Sequence, residues 1–242
     1  MTTVFGEVAA EYEDVRPGYP VSMATAISGY LGAPPSLVAE IGAGTGKGTA
    51  VYARLGGRLV CIEPDPRMAA LLTAKFPRAE VASSGFEEWD PPSGGVSVLG
   101  GALAWHHVDP ATRAATAHAA LAPDGVVALI GRAYGFADPD QGTALRSVFA
   151  AHDLRGQSRT PGWIAAELTA SGLFGDVTLS RHDTVLPLTG ANYLKLVTTF
   201  SPFRLLEPTR RTALLAALGA AVASTGGLVH LELRTSLTLA RR

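Results

Sequence analysis

The run Val38-Ala39-Glu40-Ile41-Gly42-Ala43-Gly44-Thr45-Gly46-Lys47-Gly48-Thr49 constrains this chain more than any other stretch. It opens as a short apolar segment bounded by Pro35 and Gly42, too brief for a helix and suited to a buried strand. Glycines then stand at alternate positions, and a helical pattern resumes from Thr49 to Leu55. Strand, glycine turn and helix open a βαβ unit, in which a bare turn lets a ligand lie directly against the backbone. A side chain at Gly42, Gly44 or Gly46 would collide with such a ligand or block a positive φ angle.

Spacing separates the nucleotide loops that share this look. A phosphate-binding P-loop ending at Gly46-Lys47 requires glycine at position 41 and Ser or Thr at 48, where Ile41 and Gly48 stand. A dinucleotide fingerprint beginning at Gly42 and Gly44 requires glycine at 47, which is Lys47. The pattern that fits is acidic-x-Gly-x-Gly-x-Gly, from Glu40 to Gly46. It resembles the first motif of class I S-adenosylmethionine-dependent methyltransferases. That resemblance implies an α/β fold: a doubly wound, Rossmann-like, mostly parallel seven-stranded sheet with an antiparallel last strand and an N-terminal helical lid. It also implies S-adenosyl-L-methionine as cofactor, S-adenosyl-L-homocysteine as product, and Glu40, Gly42, Ala43, Gly44, Thr45 and Gly46 at the cofactor.

At 242 residues the chain has room for one α/β domain and its own buried core. We expect a single domain over 1–242, with a lid at 1–35, a cofactor-binding half at 36–131 and a substrate-side half at 132–242. A net charge of −1 argues against a general nucleic-acid binder. The single cysteine, Cys61, sits in an apolar strand-like run and reads as a buried, inert thiol. The N-terminus lacks a basic segment followed by an apolar one, and the alanine-rich run Ala213 to Ala223 is too short to span a bilayer. These features predict a cytoplasmic protein with no membrane or nucleic-acid partner; a small molecule as substrate is what the resemblance implies, and a monomer or homodimer is expected. Cys-x-x-Cys, His-Glu-x-x-His and carboxylate-rich loops are missing from the sequence, so no dedicated metal site is expected.

Further matches follow in chain order. Phe5 to Tyr12 reads as a short helix broken by Val15-Arg16-Pro17-Gly18-Tyr19-Pro20, and Pro20 starts a helix through Tyr30. This combination resembles the N-terminal cover of small-molecule methyltransferases related to trans-aconitate methyltransferase. The resemblance places Tyr12 and Arg16 at the cofactor, the arginine toward its carboxylate, and Tyr19 at the substrate pocket. Arg58 to Ile62 is the second strand, ending at Glu63-Pro64-Asp65 about 20 residues past the loop, where nucleoside-binding folds hold an acid for ribose hydroxyls. Nicotinamide enzymes carry the same acid, so Glu63 indicates a nucleoside without choosing between the families. Asp65 reads as the cap of a helix from Pro66 to Phe76. The resemblance adds Pro64 and Met68 to the cofactor site, and Gly85, Phe86 and Glu87 after a short third strand at Ala79 to Ala82.

Val96 to Gly101 is the fourth strand, with Gly101 implied at the cofactor, and Ala102 to Pro110 follows it. The family usually has an Asp near the start of this strand and a His-Trp pair after it; this chain has Ser97, and the pair His106-His107. Both histidines are candidates for the substrate pocket, and His106 is the candidate general base, since a neutral imidazole can take a proton near neutral pH. Asp109-Pro110 is expected to start a helix to Leu121, and Pro123-Asp124-Gly125 a turn into the strand Val126 to Gly131. Beyond it, helices are expected at Gly142 to Ala151, Pro161 to Ser171, Ala191 to Phe200 and Pro208 to Ala223, the first two flanking an arginine-containing loop. The alternating runs Asp176 to Leu186 and Leu228 to Ala240 suit an antiparallel pair at the sheet edge. Tyr193 and Thr199 match the closing third of the same subfamily and are expected at the substrate pocket. The sequence points to methyl transfer onto a small acceptor. A methyltransferase-like binding or regulatory protein and a nicotinamide-dependent oxidoreductase remain as alternatives.

Overall fold

A computed structural model describes residues 6–154, 160 and 162–242. Phe5, Pro161 and positions 155–159 of the arginine-containing loop lie outside the described residues. The described chain forms two compact units. One comprises Pro17–Arg132, Thr160–His182 and Thr235–Arg242, and is called the sheet unit here; the other holds residues up to Arg16, from Ala133, and Asp183–Arg234.

In the sheet unit, β1 (Leu37–Ile41) is buried along its whole length and pairs in parallel with β2 (Arg58–Ile62) and β4 (Val96–Ala102). β3 (Glu80–Ala82) extends the sheet beyond β2, and β5 (Leu121–Phe136) pairs in parallel with β4. β6 (Gly175–Arg181) lies antiparallel to the C-terminal half of β8 (Leu228–Arg241). The order is β3-β2-β1-β4-β5-β8-β6. Strands covered on both faces need largely apolar runs, which β1, β2 and β4 supply apart from Glu40, Arg58 and Ser97. Helices α2 (Ser22–Leu31), α3 (Thr49–Tyr52), α4 (Pro66–Lys75), α5 (Arg113–Ala120) and α7 (Trp163–Ser171) complete this unit. Two apolar clusters form its main core, one around Ile41, Leu99, Trp105 and Leu129, the other around Ile27, Tyr52, Val98 and Ile130.

The helical unit is built from α1 (Ala9–Val15), α6 (Pro139–Ala151), α8 (Gly190–Thr198), α9 (Ser201–Arg204) and α10 (Pro208–Ser224). Within it β7 (Thr184–Thr189) pairs antiparallel with the N-terminal half of β8. Leu145, Leu196, Leu214, Leu218 and Leu231 lie in its own core.

Three elements differ from the sequence expectation. The run Asp176 to Leu186 breaks at His182-Asp183 into β6 and β7, so the described residues hold eight strands rather than seven. Helix α5 begins at Arg113, because the Asp109 carboxylate accepts from the Ala111 amide and its carbonyl from Thr112 and Arg113, closing a local turn first. The Pro123-Asp124-Gly125 turn is absorbed into β5 as an irregularity opposite Val96 and Val98, with Asp124 at φ 60°.

Candidate functional site

The glycine loop between β1 and α3 sits at the carboxyl end of the parallel strands, where open α/β sheets bind ligands. Its alternate glycines answer different demands. Gly44 has φ +58°, and a Cβ there would meet no atom within 4 Å, so the backbone faces open space. Gly48 faces inward, where a Cβ would collide with the Glu40 carboxylate and approach the Ala102 methyl at 2.6 Å.

Glu40 points into the protein rather than into the loop's open side. It is 1% exposed, and Oε2 accepts from the Thr49 hydroxyl. Burial pushes its pKa up to about 8, with the neighbouring Glu63 charge adding to the rise. Its role is to tie β1 to the first turn of α3. Glu63, at the end of β2, is the carboxylate that addresses the loop: Oε2 accepts from the Gly44 amide and Oε1 from the Asp65 amide, both at 2.8 Å. Two of its roughly four lone-pair positions are thereby used. Desolvation raises the Glu63 pKa, and the two backbone donors oppose that rise. Thr45 is buried, its carbonyl accepts from Lys75 Nζ at 2.8 Å, and its hydroxyl oxygen has no hydrogen-bond partner among the described residues. Ala43 is buried, its amide bonded to the Ile62 carbonyl, and Gly46 packs its face on the Phe76 ring.

Asp65 caps α4 as expected, accepting from the Arg67 amide at 2.9 Å and from the Arg67 guanidinium, which holds its pKa down. Pro64 is exposed, whereas Met68 and Phe86 are buried, Phe86 in the core of the sheet unit. Glu87 is exposed and its Oε1 accepts from the Asp109 amide at 3.1 Å, and Gly85 lies against Glu88. Gly101 is buried inside the sheet, where its amide donates to the Tyr52 hydroxyl at 2.9 Å; Tyr52 in turn donates to the Ala128 carbonyl. A Cβ at the adjoining Gly100 would collide with the Tyr52 ring. The small residues of β4 thus make room for a tyrosine that motif matching did not single out.

His106 and His107 are exposed on a 3-10 turn (Trp105–His107) directly after β4, their ring centroids 3.9 Å apart. The turn abuts the glycine loop: a Cβ at Gly42 would lie 2.8 Å from Cβ of Ala104. Tyr19 belongs to the same unit, its ring 4.2 Å from the Arg132 guanidinium, which also donates to the Pro17 and Gly18 carbonyls. Two clefts of about 190 and 140 Å³ lie elsewhere in this unit. Each reaches the amino ends of the strands, the second at Leu37, Arg58 and Glu80, so neither adjoins the loop.

Tyr12, Arg16, Tyr193 and Thr199 fall in the helical unit. Arg16 donates from Nε to the Thr199 hydroxyl at 2.8 Å and from Nη2 to the Thr199 carbonyl at 2.9 Å. Its guanidinium lies 5.0 Å from the Tyr12 ring centroid and 4.5 Å from that of Phe200. Thr199 is fully buried and Tyr193 is 2% exposed in this unit's core, its ring 6.2 Å edge-on to Phe136. An arginine so engaged, and a tyrosine so buried, hold this unit together.

Residues 38–125 match the methyltransferase domain family. The sheet order, the antiparallel C-terminal strand and the glycine loop make the fold Rossmann-like and similar to that of solved methyltransferases. The chain is 34% identical over 130 residues to uncharacterised methyltransferases of Mycobacterium bovis and Mycobacterium tuberculosis, 54% of this chain and 52% of theirs. The chain thus spans about half the length of the curated relatives it matches. In fold it is similar to a candidate type II methyltransferase of Anaeromyxobacter dehalogenans, with TM-score 0.72, 17% identity, and 93% and 97% of the two chains covered. It also resembles Haemonchus contortus phosphoethanolamine N-methyltransferase 2 in complex with phosphomonomethylethanolamine and S-adenosylhomocysteine. There the TM-score is 0.57 at 13% identity, over 100% of this chain and 58% of that one. Among the described residues no helix is long and apolar enough to cross a membrane.

Proposed function

We propose that this protein transfers a methyl group from S-adenosyl-L-methionine to a small-molecule acceptor. The observation that carries the reading is the Glu63 carboxylate, fixed by the Gly44 and Asp65 amides beside a loop whose Gly44 faces open space. The residues present fit an adenosyl group. Glu63 keeps acceptor capacity for ribose hydroxyls, and the buried Thr45 hydroxyl has a hydrogen bond still to make. When bound, the cofactor supplies a methyl group on a sulfonium that is its own leaving group. The protein's contribution is then alignment, which can supply on the order of 7–11 kcal/mol of rate enhancement. The His106 imidazole, on the turn beside the glycine loop, takes the proton from an acceptor hydroxyl or amine as the new bond to the methyl carbon forms.

Calorimetry with S-adenosylhomocysteine and with NADH tests the cofactor: micromolar binding of the first, about −8 kcal/mol, is expected. Binding of NADH alone would reverse the assignment. Labelled S-adenosylmethionine with acids, phenols and amines then separates transfer from binding without transfer. On an acceptor that must lose a proton, His106→Ala should lower turnover about 10²–10⁴-fold, less at high pH, where the acceptor ionises unaided.

A further inference from the structure

Behind the Trp105–His107 turn lies a charge cluster assembled from α5 and α7, its arginine buried and its Glu167 side chain 27% exposed. Arg113 of α5 is 3% exposed. Its Nη1 donates to the Trp105 carbonyl at 2.9 Å and to the Val108 carbonyl at 3.3 Å, so one nitrogen spans both ends of the turn. The rest of the guanidinium fork grips Glu167 of α7: Nε donates to Oε1 at 2.6 Å and Nη2 to Oε2. The Trp105 indole N–H also donates to Glu167 Oε1, at 3.0 Å, and the guanidinium lies over the Trp105 and Trp163 rings at 5.4 and 5.2 Å.

An ion pair whose arginine is buried and whose carboxylate is half-buried is a poor device for stability alone, because apolar residues of the same volume often do as well. What Arg113 provides that a methionine cannot is a pair of directed hydrogen bonds onto the backbone that carries His106. The same backbone abuts the glycine loop through Ala104 and Gly42. We propose that Arg113 and Glu167 are positioning residues, which fix the histidine turn against the glycine loop for the transfer step. This rests on the reading of that turn as the acceptor side of a methyltransferase site.

The test is the double variant Arg113→Met/Glu167→Leu, which keeps the volume and removes the directed donors. Hydrogen exchange of the His107 amide, bonded to the Ala104 carbonyl, is compared with that of β1 and β2 amides. The His107 amide should exchange about tenfold faster while the β1 and β2 amides keep their rates. The dissociation constant for S-adenosylhomocysteine should stay within about threefold, and kcat should fall about 10²-fold on any acceptor the wild type methylates. Arg113→Lys, which keeps the charge and loses the fork, should fall between the two proteins. Equal acceleration at the turn and in β1 and β2, an unchanged turn, or a loosened turn with unchanged kcat would each overturn the proposal. If the double variant does not fold, Glu167→Gln is read by the same measurements. A wild type that binds no S-adenosylhomocysteine would overturn the functional reading first, visible before any variant is made, and the transfer part of this proposal with it.

Discussion

The two units place their key charged groups by opposite means. In the sheet unit, Glu63 meets Asp65 and Gly44 at sequence separations of 2 and 19, and Glu40 meets Thr49 at 9. In the helical unit Arg16 reaches Thr199 and Tyr134 across separations of 183 and 118. Short separations leave a motif, because strand and turn geometry alone bring the groups together. Long ones leave none, because many sequences can deliver a residue to the same place. The sheet unit has its own exceptions in Arg113 and Glu167, 54 residues apart, and in Arg132, which reaches Pro17 and Gly18 across 115 and 114.

The largest expected effect tests how deeply the local contacts of the sheet unit are buried. Glu40 ionises at about 8 in the folded protein against an ordinary 4.5. Between those values the native state holds a proton that the unfolded chain has lost. Stability therefore falls as pH rises through this window and levels above it. Glu40→Gln keeps the shape without the titration. Urea unfolding at pH 5 and pH 9 should show the wild type losing about 4 kcal/mol more than the variant. Identical pH dependence would mean that the carboxyl is not desolvated.

Next is Glu63→Ala, which removes charged hydrogen bonds from the open side of the glycine loop. S-adenosylhomocysteine should bind more weakly by about 1.5–3 kcal/mol, with exchange in α8 and α10 unaltered. An unchanged affinity would move the ribose contact elsewhere. Arg16→Ala should do the reverse. Loss of its bonds to Thr199 and its stacking on Tyr12 and Phe200 should weaken α1 and α8 by about 1–2 kcal/mol, seen in their amide exchange, with cofactor affinity within about threefold. A tenfold loss of affinity would return Arg16 to the cofactor carboxylate and erase the contrast between the units. The smallest effect is Asp65→Ala, about 1 kcal/mol from a lost helix cap, read as a lowered Tm.

By itself the sequence determined the parallel sheet's inner strands, the glycine loop, the acid at the end of β2 and the cap at Asp65. Each depends on periodicity, on a special φ angle or on a hydrogen bond within a few residues, and such causes act locally. Only the tertiary structure decided which way those residues face. Glu40 turned inward to Thr49 because its strand is covered on both sides, Gly101 gave its amide to the Tyr52 hydroxyl, and Tyr193 went into a helical core. It also split one alternating run into β6 and β7, since each half found a different stretch of β8 to pair with. Arg113, Glu167 and Arg132 were illegible for the same reason. An arginine's partners are carbonyls and carboxylates that any sequence contains, and only the packed chain selects which of them it meets.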